Sequence, residues 1–167
     1  MKTKKRGQAA VTDLFIAISI FIILVTITTL TWNLYNIRLQ NRFDYDDMMI
    51  KGFQVTDSLI KSRGIPPDWE TQKPTVSNIQ LIGLSDNERF LLEEKVKAFA
   101  DENILKDTVI KDTLKINLYE YYFVLRHING TKIFTRGKFP AGNFAVNLAR
   151  LVIYQKEPSV LEFAIWK

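Results

Sequence analysis

Cysteine is absent from the 167 residues, and histidine occurs once, at position 127. Without thiols there is no disulfide framework, no thiolate nucleophile and no thiolate metal site. A single histidine excludes a multi-histidine metal centre, and general-base work at His127 would need a positioned partner that spacing alone does not supply. No Walker loop, nucleophile elbow or dinucleotide fingerprint occurs. Asp44, Asp46 and Asp47 lie close together, yet a calcium loop needs more ligands and a glycine turn, so they read as a solvated helix face. The expectation is a chain that is not an enzyme and carries no metal and no cofactor.

Excess positive charge is also scarce once its position is considered. The net charge is +5, but Lys2, Lys4, Lys5 and Arg6 fall within the first six residues, and the remaining 19 basic residues face 18 acidic ones. Phosphate-binding surfaces depend on clustered basic residues, so no nucleic-acid partner is expected.

The largest gap is in charge along the chain. From Leu14 through Leu34 there is no charged residue, no glycine and no proline. As a helix at ~1.5 Å per residue this stretch is about 31 Å long, the hydrocarbon thickness of a bilayer. A buried core helix of a soluble protein rarely runs so long without charge. The basic residues before it hold the N-terminus on the cytoplasmic side, which places the chain beyond Tyr35 outside. Trp32 and Tyr35 suit the outer interface. After Leu34 the chain reads Tyr35-Asn36-Ile37-Arg38, without the small-residue cleavage site of an ordinary secretory signal.

Before the apolar run stands Lys4-Lys5-Arg6-Gly7-Gln8. This order resembles the class III signal peptide of archaeal type IV prepilins, whose peptidase cuts after the glycine and leaves the apolar helix in the mature protein. The resemblance makes Gly7 the residue before the cut and Gln8 the mature N-terminus. Many pilins carry glutamate fifth in the mature chain; here that position is Thr12, and the acid is Asp13, the sixth. Asp13 has two readings. It is a candidate partner for the free amine of a neighbouring subunit, since a carboxylate in apolar surroundings needs pairing, or it complements the helix dipole at the membrane surface.

The helical pattern continues past the span, with a rough amphipathic rhythm and no proline before Pro66. A helix over Ala9–Lys61 is expected, on the order of 80 Å long, with Gly52 as a place where it bends or breaks. Gly64-Ile65-Pro66-Pro67 must leave helical geometry. Ser85 with Glu88 three residues later predicts a capping box opening a second helix, with Leu91, Leu92, Val96 and Phe99 on its apolar face. A shorter helix is expected near Ile104 to Leu114.

From Asn117 onward the texture is that of strands. Leu118 to Ile128 and Lys132 to Arg136 read as a hairpin about a two-residue Asn129-Gly130 turn. Phe144 to Tyr154 and Val160 to Trp166 read as a second, turning at Glu157-Pro158-Ser159. Phe53, Trp69, Phe99, Tyr121, Phe144 and Trp166 are the candidate core. Trp69 and Trp166 could alternatively dock a ligand, with packing the commoner role of such rings. Asn129-Gly130-Thr131 fits an N-glycosylation acceptor on an exposed turn, which makes Asn129 a candidate modification site.

Gly64 through Trp69, Ile82-Gly83-Leu84, the lysine-bearing helix around Lys95, and Arg150-Leu151-Val152-Ile153-Tyr154 with a tryptophan near the end resemble the heads of archaeal minor-pilin-like proteins. The resemblance implies an α+β, type IV pilin-like fold: a long N-terminal helix, transmembrane in its first half, with a C-terminal antiparallel β-sheet head and one or two extra helices. Residues 1–7 would be the cytoplasmic leader, 8–35 the transmembrane and filament-core helix, and 36–167 the extracytoplasmic head. The implied role is a structural or assembly subunit of a pilus-like surface filament. Its partners would be membrane lipid, a prepilin peptidase, other pilin-like subunits and the assembly machinery. A single-pass anchored accessory or sensor protein that does not polymerise is the alternative, and a membrane-tethered enzyme lacks any motif that names a reaction.

Overall fold

With no proline before Pro66 and its glycines only at Gly7 and Gly52, nothing in the first sixty residues ends a helix. The computed structural model accordingly has α1 running over Thr3–Lys61. It describes residues 3–71, 74–75, 77–140 and 144–167, with the backbone alone for 3–10. The chain divides after Asp44 into two units. The first is helical throughout its described length. Helix α1 begins before the expected Ala9 because Lys4, Lys5 and Arg6 are all good helix formers.

The second unit starts at Tyr45 and contains the last turns of α1. Met48, Val55 and Leu59 are fully buried along one stripe, at the spacing that keeps side chains on one helix face. Gly52 belongs to that stripe and does not interrupt the helix, which runs through it to Lys61. A Cβ there would stand 2.6 Å from Leu148 Cδ1 and 3.6 Å from Ile165 Cγ2. Its role is close packing against the sheet.

Beyond α1 come β1 (Ser85–Asn87), β2 (Phe90–Leu91), α2 (Glu93–Ala100), α3 (Asp107–Thr113), β3 (Glu120–His127), β4 (Lys132–Gly137), β5 (Ala145–Tyr154) and β6 (Glu157–Trp166). The strands form one sheet in the order β1-β2-β5-β6-β3-β4. Strands β5, β6, β3 and β4 are antiparallel neighbours, but β2 joins β5 in parallel. The architecture is α+β with a mixed sheet rather than the purely antiparallel one expected. Alternation along β3 buries Tyr121, Phe123 and Leu125 on the face that also buries Leu161, Phe163 and Ile165 of β6. Phe99 of α2 meets Phe123 edge-on at 5.0 Å, and Tyr121 stacks on Phe163 at 5.8 Å.

Local signals gave way to pairing at three places. Ser85 caps no helix: its hydroxyl donates to the Phe90 carbonyl at 3.1 Å, and its backbone pairs with Leu91. Arg89 turns the chain at φ 68° while its N–H donates to Ile60 O and its C=O accepts from Ile153 N–H, each at 2.8 Å. The capping-box residues are thus consumed by a sheet edge, and α2 begins at Glu93 after an uncapped Leu92.

The second departure is at Asn129-Gly130. Only Gly130 has positive φ, its N–H donates to His127 O at 2.9 Å, and His127 N–H donates to Thr131 O at 2.9 Å. The loop is therefore three residues long with glycine at the left-handed position. The third is the last hairpin, where Gln155 and Lys156 form the two-residue turn at φ 51° and 68°. Glu157, Pro158 and Ser159 lie inside β6. Pro158 sits one residue beyond the end of the β3 pairing at Ser159, so its missing N–H interrupts no β3 bond.

Trp69, Phe99 and Tyr121 are core residues as expected. Phe53 and Phe144 are 42% and 47% exposed, and Trp166 is half-buried. Phe53 lies under the Arg150 guanidinium at 5.1 Å, and Phe144 meets Tyr45 edge-on at 5.8 Å.

Two buried cations organise the rest of the core. Lys95, 1% exposed, donates to the carbonyls of Arg63 (2.6 Å) and Pro67, and pairs with Glu70 at 3.0 Å. Its Nζ also lies 5.6 Å from the Trp69 ring, whose N–H donates to Gly83 O at 3.0 Å. Arg136 donates to Phe99 O (3.2 Å), Leu105 O (2.6 Å) and Asp107 (2.7 Å), and the Tyr121 hydroxyl donates to the same carboxylate at 2.8 Å. Burial opposes ionisation of Asp107, but hydrogen bonds from Tyr121 and Arg136 outweigh it and leave its pKa lowered. Burial and the Asp107 hydrogen bond push the Tyr121 phenol well up.

A Cβ at Gly83 would lie 2.1 Å from the Ser62 carbonyl oxygen, which is backbone and cannot swing aside. Gly83→Ala is expected to cost about 2–4 kcal/mol, read by denaturant unfolding of the chain in micelles. Asp107 supplies a pH test. Its folded pKa lies below the ordinary 3.8, so its contribution is present above about pH 4 and is lost as pH falls through the folded value. Asp107→Asn is expected to be less stable at pH 7, with a shallower acid loss below about pH 4, measured as the unfolding midpoint against pH.

Candidate functional site

The first unit presents an apolar surface that nothing in that unit covers. Its side chains from Leu14 to Leu34 are exposed, Leu24 at 57% and Trp32 at 66% among them. Buried backbone polar groups need partners, and a helix satisfies all but its ends internally. The hydroxyls of the run follow the same rule. Ser19, Thr26, Thr28, Thr29 and Thr31 each donate to the carbonyl four residues back, at 2.8 Å. Every hydroxyl between Leu14 and Leu34 is therefore paired without help from water. Sequence reading missed these bonds, although any serine or threonine inside a helix can make them.

By length and composition, α1 can cross a membrane once. That capacity, in length and composition, is the property of this unit with the clearest functional meaning. The helical backbone includes Lys4, Lys5, Arg6, Gly7 and Gln8; their side chains, and Lys2 altogether, lie outside the described residues. Asp13 is exposed on α1 directly before Leu14.

The second unit holds the remaining candidates. Asn129 is exposed at the tip of the β3–β4 loop, where its side-chain oxygen accepts from the Thr131 N–H at 2.9 Å. A Cβ on Gly130 would meet nothing within 4 Å, so the Asn129-Gly130-Thr131 turn is sterically open. His127 Nδ1 lies 3.3 Å from Glu157 Oε2 near the same loop. Asp47 accepts a hydrogen bond from the Tyr119 hydroxyl, and among the described residues no cluster of acids and histidine is arranged to hold a metal ion. Trp69 is fully buried with its N–H bonded, a packing residue rather than a docking platform. The blocks around Gly64, Gly83 and Lys95, separate in sequence, meet around the Trp69 ring.

Compared with protein-family models, with curated proteins and with solved structures, the chain matches none. The functional reading therefore depends on its own residues and geometry.

A charge in the middle of the run provides a direct test. Leu24→Arg places a guanidinium at the centre of the 21-residue stretch, at a cost on the order of 3 kcal/mol for insertion. The variant is expected to shift from the carbonate-resistant membrane fraction towards the extractable fraction, whereas Leu24→Ile should remain in the membrane.

Proposed function

We propose that the chain is a structural or assembly subunit of an archaeal type IV pilus-like surface filament. A prepilin peptidase removes residues 1–7, Gln8 becomes the N-terminus, and α1 holds the subunit in the membrane until it is assembled. The observation that carries this reading is the order along the first helix: basic residues, then Gly7-Gln8, then an uncharged run whose side chains find no cover within their own unit. A cut after Gly7 preserves the run, whereas a secretory cut beyond Leu34 discards it.

Two further observations support the reading. The hydroxyls within the run bond back to the helix, which suits either hydrocarbon or a bundle of like helices. The second unit has an extensive core of its own, as a domain displayed outside the membrane requires. Cleavage also removes Lys2, Lys4, Lys5 and Arg6 from a helix end that must enter apolar surroundings when subunits bundle, where each unpaired charge is costly. In this reading the N-terminus is cytoplasmic and residues 36–167 are outside, with Asn129 accessible to extracytoplasmic glycosylation.

Gly7→Val tests processing directly. A β-branched side chain obstructs an extended backbone in a protease site that glycine fits. The native chain is expected to have the intact mass and N-terminal sequence of a protein starting at Gln8, and the variant to retain Met1 while still entering the membrane. Mass spectrometry of isolated surface filaments should then contain the mature chain. A mature protein that still starts at Met1, or starts beyond Leu34, refutes the reading; correct processing without incorporation into filaments leaves an anchored, non-polymerising protein instead.

A further inference from the structure

The first charges after the apolar run are Arg38 and Arg42, four residues apart on α1 and both exposed. Tyr35, 56% exposed, precedes Arg38 by three residues, and Trp32 precedes Tyr35 by three. Spacings of three and four keep neighbours along one side of a helix, so an aromatic pair leads into an arginine pair. Helical side chains lean towards the N-terminus. Here that direction is back towards the apolar run.

The two arginines differ from those of the other unit. Arg63, Arg89, Arg126, Arg136 and Arg150 each lie within salt-bridge distance of a carboxylate. Arg38 and Arg42 make no such pair among the described residues; no acidic residue lies between Asp13 and Arg42, and the acids that follow, Asp44, Asp46 and Asp47, stand beyond Arg42 on the side away from the apolar run. A guanidinium fork matches a phosphate group through two parallel N–H donors. Tyrosine and tryptophan favour the membrane interface. Arg38 stands about 4.5 Å further along the axis than Tyr35, within a polar layer roughly 5–8 Å deep on each side of a bilayer. Arg42 is about 10.5 Å beyond Tyr35 and reaches back along its flexible stem.

We propose that Trp32, Tyr35, Arg38 and Arg42 form a binding site for the phosphate of an anionic membrane lipid at the end of the span distal to the N-terminus. The assignment rests on the membrane reading of α1 and adds a defined lipid class and the residues that select it. It does not depend on leader cleavage or on polymerisation.

The full chain in nanodiscs of equal phosphatidylglycerol and phosphatidylcholine, released for native mass spectrometry, tests it. Phosphatidylglycerol adducts are expected to exceed phosphatidylcholine adducts by on the order of tenfold, given two arginines at an anionic surface. The R38Q/R42Q variant should fall to near parity, while R63Q/R89Q, which removes equal charge elsewhere, should keep the preference. Excess inorganic phosphate should leave the preference in place. Equal retention of both lipids by the wild-type chain, an undiminished preference in R38Q/R42Q, or displacement of the lipid by inorganic phosphate each overturns the lipid site. Failure of the wild-type chain to enter nanodiscs overturns the span itself, a result separate from incorporation without preference.

Discussion

A backbone carbonyl or amide removed from water must find another partner, and both units answer to that constraint. In the first, the helix bonds its own backbone, and Ser19, Thr26, Thr28, Thr29 and Thr31 return their hydroxyl hydrogens to it. In the second, irregular chain between α1 and β1 cannot bond itself in this way. Lys95 reaches into it and serves the carbonyls of Arg63 and Pro67. Arg136 does the same for Phe99 and Leu105 at the ends of the α2–α3 connection. A buried cation is costly unless its donors are satisfied, and here the acceptors are the carbonyls that themselves need donors.

Close packing adds a second requirement that these bonds depend on. Gly83 lets its strand of backbone approach Ser62, and Gly52 lets α1 approach Leu148. With these approaches made, the Trp69 ring is enclosed and its N–H reaches Gly83 O. The Lys95 ammonium then lies between that ring, Glu70 and two carbonyls. Pairing, enclosure and glycine contacts are one arrangement, so losing any member exposes polar groups that the others were placed to satisfy.

The two units handle charge in opposite ways, and this bears on function. The second unit matches its arginines with carboxylates or carbonyls inside its own structure. The first separates its charges from its apolar run, and among the described residues Arg38 and Arg42 form no ion pair. A surface matched internally needs no partner for stability. In the proposed reading, an apolar run bordered by unmatched guanidinium groups would find its complement in a bilayer, with hydrocarbon along the run and phosphate at its end.

The sequence by itself determined the elements whose signal is local and long. The uncharged run from Leu14 to Leu34, the absence of proline before Pro66 and the strand-forming texture from Asn117 onward depend on neighbours along the chain, and they led to α1 and to most of the sheet. The position of Gly7-Gln8 before the run was equally legible, because it is a matter of order. Tertiary structure alone decided the places where a local preference competed with a distant partner. Ser85 and Glu88 carry a helix-start pattern, yet Leu91, Ile60 and Ile153 supplied bonds that a short helix could not match. Gln155 and Lys156 carry no turn signal, but the ladder from Ala145 to Tyr154 with Glu157 to Trp166 placed the reversal there and held both residues at positive φ. The cost of two left-handed residues is about 1–2 kcal/mol each, and a ten-pair ladder outweighs it. Lys95 shows the same limit: nothing in the order of residues marked it as buried, and only the meeting of segments 25 to 32 residues away enclosed its ammonium.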